Sequence, residues 1–176
     1  KQVLYPGTDS VTAQIKLVGE GTPEGPRRVP MDLVSILDYS GSMSGTPWTK
    51  TKEAAIILAD MIQGEDRCAV VGFGSSANIQ INLTSDKELV KQSITSMPFY
   101  GGGTAMDAGL QKGLDVTANT GSDRQIVFML LSDGQPNSQS AVYTKVSTAI
   151  QKGIKIYTLG LGSGVNGAFM QNIADM

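Results

Sequence analysis

The sequence predicts an α/β fold: a Rossmann-like open sheet, mostly parallel, with one antiparallel edge strand and helices on both faces. Three observations lead there. From Met31 onward, short apolar runs alternate with segments of helical period, which is the rhythm of βα units around a parallel sheet. Four of those runs are almost continuously apolar, so their strands should be covered on both faces. A fifth run, "ANIQINLT" (77–84), sets Ile79, Ile81 and Leu83 against polar neighbours and follows its predecessor too closely for a crossover helix, which makes it an antiparallel edge strand.

In chain order, "MDLVSILD" (31–38) is the first strand and ends in a carboxylate. Ala54, Leu58, Met61 and Ile62 then recur at helical spacing, predicting a helix over about 48–63 that Gly64 stops. "RCAVVGFG" (67–74) is the second strand. Ser85 with Glu88 three residues on has the form of a capping box, and Val90, Ile94 and Met97 form the buried stripe of a helix closed by Pro98. Met106, Leu110 and Leu114 mark a third helix, opening just after Gly101–Gly103, and "RQIVFMLLSD" (124–133) is the next parallel strand. Val142, Val146, Ala149 and Ile150 give a fourth helix with Lys152 and Gly153 at its end, followed by the strand "IKIYTLGLG" (154–162) and a last helix at Phe169 and Ile173. Residues 1–30 stand apart. Val11, Ala13, Ile15 and Leu17 alternate as in a strand, and "VGEGTPEGPRRVP" is a Gly/Pro-rich connector. This segment extends the sheet edge or belongs to a neighbouring β-domain, while 31–176 form the main domain.

Composition removes whole classes of chemistry. The 176 residues contain no His, which excludes Ser-His-Asp and Cys-His catalysis and nearly all zinc sites. The one cysteine, Cys68, lies in an inward-facing strand and is expected to be a small buried hydrophobe. Fourteen Lys and Arg against 16 Asp and Glu leave a net charge of -2, which offers no field for nucleic acid or an anionic membrane. No apolar run reaches the roughly 18 residues of a membrane span, so direct membrane insertion is not expected, and the N-terminus has no signal-peptide pattern.

In open parallel sheets, ligands bind at the carboxyl ends of the strands. Two strands end in Asp: Asp38 opens "DYSGSMSG", and Asp133 stands in "LLSDG". Two carboxylates facing one crevice repel each other unless a cation lies between them. Ser40 and Ser42 add neutral oxygens from a tight turn, and Thr104 offers another from the loop after Gly101–Gly103. Two acids and three hydroxyls, without His or Cys, suit a hard divalent cation, with Mg²⁺ first and Mn²⁺ or Ca²⁺ as alternatives. Each Ser or Asp taken alone has a simpler explanation as a helix cap; their joint occurrence at strand ends does not.

At these residues the chain resembles the von Willebrand factor A domains, also called integrin I-like domains. "DYSGS", "GGGT" and "LLSDG" match that family's metal-ion-dependent adhesion site in order and type, and the resemblance covers 31–176. It implies that Ser40, Ser42 and Thr104 touch a metal directly, that Asp38 and Asp133 act largely through water, and that the strand order is 3-2-1-4-5. It also implies a further strand and C-terminal helix beyond "MQNIADM".

The function expected from this is a metal-dependent module for adhesion or surface assembly. Such a module engages an Asp or Glu carboxylate of a protein or peptide partner, at the cell surface or outside the cell. The alternative within the fold is a docking subunit of an intracellular, cytoplasmic metal-chelatase or ATPase-associated complex. A metal-assisted hydrolase is disfavoured, because no His, Lys or further acid stands ready as general base. "GSGVNG" (162–167) fits a dinucleotide fingerprint, but the acidic ribose partner expected about 20 residues later is missing. Tyr39, Trp48, Phe99 and Tyr100 lie in or beside the loops that should ring the cation, either as recognition contacts or as loop packing.

Overall fold

A computed structural model describes residues 28–176. The strand expected at 11–18 and the connector up to residue 27 lie outside the described residues. The elements are β1 (Met31–Asp38), a 3-10 turn (Gly41–Met43), α1 (Thr46–Met61), β2 (Arg67–Phe73), β3 (Ala77–Thr84), α2 (Lys87–Ser96), α3 (Met106–Val116), β4 (Gln125–Ser132), α4 (Gln139–Gln151), β5 (Lys155–Gly160) and α5 (Gly167–Asp175). The sheet runs β3-β2-β1-β4-β5. β1 is parallel to β2 and β4, β4 is parallel to β5, and β3 is antiparallel to β2. The polarity is that expected from the strand patterns, and the order is the one the family resemblance implied.

Alternation along the central strand supplies two cores. Val34 and Ile36 join the layer under α3, α4 and α5, packing with Phe73, Leu110, Phe128, Val146 and Phe169. Leu33 and Leu37 face the opposite layer, where α1 and α2 bring Leu58, Ile62, Val90 and Ile94. All eight residues of β1 are buried, as a strand covered on both sides must be. Helix α3 lies especially close to the sheet. A Cβ on Gly109 would stand 2.7 Å from the Phe73 ring, so a side chain there would force the helix outward.

Several local features depart from the expected pattern. In β3 the pairing with β2 shifts register twice, between Cys68 and Val70 and between Val70 and Val71. As a result Ile81 packs on the α1/α2 side while Ile79 and Leu83 pack on the other; the three do not share a face, because a bulge breaks the two-residue period. Helix α2 is capped by Asp86, whose carboxylate accepts from Leu89 N at 3.0 Å. Ser85 is not the cap, and Glu88 pairs with Lys91 instead. Helix α1 starts at Thr46 with Pro47 in its first turn and ends before Gly64, with the extended Ile62. The following turn is gathered by the buried Asp66, which accepts from Gln63 N at 2.9 Å. Ile150 is 37% exposed, at the margin of its helix's apolar stripe.

At the amino-terminal ends of the strands lies a charged cluster. Asp32 is fully buried and accepts from Arg67, Arg124 and Thr120 at 2.6–2.9 Å. Burial pushes this carboxyl upward, but the hydrogen bonds from Arg67, Arg124 and Thr120 outweigh it and hold Asp32 below its ordinary pKa. Nearby, Arg28 pairs with Asp66 and Pro30 O accepts from Gln125 N, so the chain enters the domain at the end remote from Asp38. Among the described residues no helix is long and apolar enough to cross a membrane.

Candidate functional site

The chain order places β2 on one side of β1 and β4 on the other, so the sheet's topological switch point lies between β1 and β4. Asp38 ends β1, and Asp133 follows the last residue of β4. Both are almost wholly buried, at 0% and 3% exposure.

Asp38 is held from two directions. One carboxylate oxygen accepts from Ser40 N at 2.8 Å, and the other accepts from the Ser132 hydroxyl at 2.6 Å. Burial raises its pKa above the ordinary carboxylate value; these hydrogen bonds oppose the rise, and the neighbouring Asp133 adds to it. Its charge is therefore poorly compensated by the protein itself. Asp133 accepts from Gln135 N at 3.1 Å, and its carbonyl accepts from Asn166 N at 2.7 Å, so the loop ahead of α5 packs against this turn. Gly134 follows at φ +75°, with Met170 of α5 lying where a Cβ would go.

The loop after β1 turns at once into the 3-10 turn, which brings the Ser40 and Ser42 hydroxyls to 3.2 Å from each other. Cis oxygens around a six-coordinate ion stand about 3.0 Å apart for bonds of about 2.1 Å and about 3.4 Å apart for bonds of about 2.4 Å. The observed spacing lies between those values. The Ser40–Ser42 pair thus has a spacing that such an ion could span, and the hydroxyl and carboxylate donors are of the hard oxygen type it takes. Among the described residues no group of three or more His, Cys, Asp or Glu side chains could by itself hold a metal ion, so an ion at this end would draw on hydroxyls as well as on the two acids.

Thr104, 8% exposed, reaches the same end of the sheet on the loop between α2 and α3. Its N–H donates to the Asn137 side chain at 3.0 Å, and its carbonyl accepts from Asn137 N at 2.9 Å, which clasps this loop to the one after β4. Two further bonds tie the loop to the one after β1: Gly101 N donates to Tyr39 O and Gly102 O accepts from Gly41 N, at 3.1 and 2.9 Å. Gly101 and Gly102 both have positive φ, +69° and +90°, a conformation that glycine adopts without strain. Gly103 N donates to the Ser75 hydroxyl at 2.8 Å, from the "GFGSSA" turn.

Hydrogen bonds or electrostatic coupling link Asp38, Ser40, Ser42 and Asp133 directly, and Thr104 is brought alongside through backbone contacts. Sequence reasoning missed Ser132, Asn137 and Ser75, which position these groups. The four aromatic residues divide into two kinds. Tyr39 and Trp48 are buried, at 3% and 6%, whereas Phe99 and Tyr100 are 38% and 65% exposed. Tyr39 therefore is not a surface contact: its ring lies over Gly72 and Gly74, where an added Cβ would meet it at 2.6 and 2.7 Å. Cys68 is fully buried, and burial pushes its thiol up to about 12, as befits a core residue. Asn166 of "GSGVNG" caps α5, its side chain accepting from Phe169 N.

Comparison with known proteins points the same way. The family model for the von Willebrand factor type A domain matches residues 32–176. An uncharacterized protein of Synechocystis sp. is 31% identical over 178 residues, an alignment covering 98% of this chain and 42% of that one. The chain spans less than half the length of the curated relatives it matches. Among solved structures, the manganese-loaded TRAP protein of Plasmodium vivax superposes with a TM-score of 0.71 at 26% identity, covering 84% of this chain and 63% of that one. Proximal thread matrix protein 1 of the mussel byssus, with a zinc-occupied MIDAS motif, gives 0.71 at 26% identity, covering 82% and 39%.

Proposed function

This chain belongs to the von Willebrand factor type A domain family, and on that premise we propose that it is a metal-dependent protein-binding module whose site is Asp38, Ser40, Ser42, Thr104 and Asp133. The observation that carries the reading is the Ser40–Ser42 hydroxyl pair at 3.2 Å, set beside a buried Asp38 whose charge Asp133 opposes. A divalent cation there, Mg²⁺ in the first instance, would neutralise the two acids and offer its remaining positive charge to a partner's Asp or Glu. Ser132 fixes the Asp38 carboxylate, and Asn137 fixes the Thr104 loop, so the hydroxyls are arranged before any ion arrives.

A manganese-loaded relative and a zinc-occupied one, each 26% identical to this chain, support the metal reading. A byssus thread protein among the relatives supports a place at the cell surface or outside it, in adhesion or assembly. Adhesion and structural domains of this family are typically non-catalytic, which supports a binding module rather than an enzyme. Calorimetric titration with Mg²⁺ and Mn²⁺ tests the site: a single binding event that Thr104→Ala and Ser42→Ala weaken at least tenfold is expected. Affinity unchanged in both variants would overturn the assignment.

A further inference from the structure

Beside the five candidate ligands stands a group of rings that they do not use. Tyr39 packs edge-on against Trp48, with centroids 6.2 Å apart, and against Tyr100 at 5.2 Å; Trp48 in turn lies 6.2 Å from Phe99. The inner pair is buried and the outer pair is not: Tyr100 is 65% exposed and Phe99 38%. The hydrogen bonds from Gly101 N to Tyr39 O and from Gly41 N to Gly102 O hold the two loops together on either side of Ser40. Tyr100 therefore leads directly into the glycine loop that is clasped to the residues flanking Ser40, and its ring rests against that of Tyr39. Lys52 Nζ lies 5.7 Å from the centre of the Trp48 ring and adds a positive charge to this side of the surface.

An exposed aromatic pair on an anchored base costs little conformational entropy to use, which is why Tyr and Phe recur at the centres of protein interfaces. Exposed singly on an ordinary surface loop they would carry no meaning; resting on two buried rings, and followed by the glycines that bond to Tyr39 and Gly41, they form a preorganised ledge. Resting on the metal-site reading above, we propose that Phe99 and Tyr100 form a specificity ledge for the residue next to the partner's carboxylate, selecting an acidic segment that carries an aromatic side chain beside its Asp or Glu. The cation position takes the acid, the ledge takes the neighbouring ring, and the charge of Lys52 favours an overall acidic segment.

The test uses the whole chain and an array of immobilised nine-residue peptides. Each has a central Asp in a Ser/Gly background, with Phe, Tyr, Trp, Leu or Ser placed in turn at every neighbouring position, and is probed in Mg²⁺ and in EDTA. Retention in Mg²⁺ should be about three- to tenfold higher for aromatic neighbours on one side of the Asp. Tyr100→Ala should erase that preference, while Mg²⁺-dependent retention of the Ser-flanked Asp peptide persists and Tyr100→Phe keeps the preference. Tyr100 is largely exposed, so its loss should not unfold the domain, and matching melting curves will show that. Mg²⁺-dependent retention with no preference among neighbours, or with a preference that Tyr100→Ala leaves intact, overturns the ledge and spares the metal site. Retention indifferent to EDTA, or none in Mg²⁺, overturns the metal site and the ledge together.

Discussion

Replacing Asp38 separates what the carboxylate does for the fold from what it does for a cation. In Asp38→Ala the Ser40 N–H and the Ser132 hydroxyl, now at 2.8 and 2.6 Å from carboxylate oxygens, lose their acceptors in a buried place. An orphaned buried donor costs about 1–3 kcal/mol, partly offset by relief of the repulsion with Asp133. Asp38→Asn avoids most of that cost. Its amide oxygen can still accept from Ser40 N, and its NH₂ can donate to Ser132 Oγ, which already accepts from Gly134 N and has a second lone pair. In EDTA the Asn variant should therefore melt within about 3 °C of the unaltered protein, whereas the Ala variant should melt several degrees lower. Mg²⁺ at a hundred times its Kd stabilises a binding-competent fold by about 2.7 kcal/mol, or about 5–10 °C at this size. The unaltered protein should show that rise and the Asn variant should lose it. Because the folded-state pKa of Asp38 is raised, its ionised form costs stability above that pKa. In EDTA the unaltered protein should accordingly gain stability relative to the Asn variant as pH falls through it. Thermal melts with EDTA and with graded Mg²⁺ decide the matter. An Asn variant that keeps the full Mg²⁺ shift would refute the role of the Asp38 charge, and one as unstable in EDTA as the Ala variant would refute the hydrogen-bond argument.

At the opposite end of the sheet, Asp32→Ala leaves Arg67 and Arg124 without their shared carboxylate; with both partly exposed, the loss should be about 2–4 kcal/mol by denaturant melts. The folded-state pKa of Asp32 is lowered, so its contribution is complete above the unfolded value near 3.8 and should fade as pH drops through the folded value, a dependence absent from the Ala variant. Asn137→Ala frees the Thr104 loop from its side-chain clasp and should weaken Mg²⁺ binding about tenfold by calorimetry without touching any ligand. A chain starting at Val29 should keep its Mg²⁺ affinity. The described contacts of Arg28 and Pro30 lie at the amino-terminal strand ends, about 23 Å of strand from Asp38; loss of affinity in a truncated chain that still folds would give residues 1–28 a part in the site.

The periodicities that drew the strands and helices were enough to place Asp38 and Asp133 at strand ends, because burial on two faces and helix length are local properties of the sequence; that the two strands are neighbours came from the family resemblance. What escaped was set by distant contacts. Ser132 sits inside "LLSDG" and reads as one more strand residue until Asp38, 94 positions earlier, is seen to accept its hydroxyl proton. Asn137 and Ser75 gain their roles only from the path of the Gly101–Gly103 loop. Asp32 is a charge in an apolar run, and the arginines that make it tolerable lie 35 and 92 residues away. Tyr39 follows the strand as a loop residue, yet its ring fills space that Gly72 and Gly74 leave open. The bulge in β3 breaks the alternation that identified the strand.

Crystals grown with Mn²⁺ and measured for anomalous scattering put the cation site to the most direct test. One anomalous peak is expected at the carboxyl end of β1 and β4, in bonding range of the Ser40, Ser42 and Thr104 hydroxyls, with Asp38 and Asp133 close behind. A peak elsewhere, or none at saturating Mn²⁺ with these side chains arranged as they are here, would contradict it.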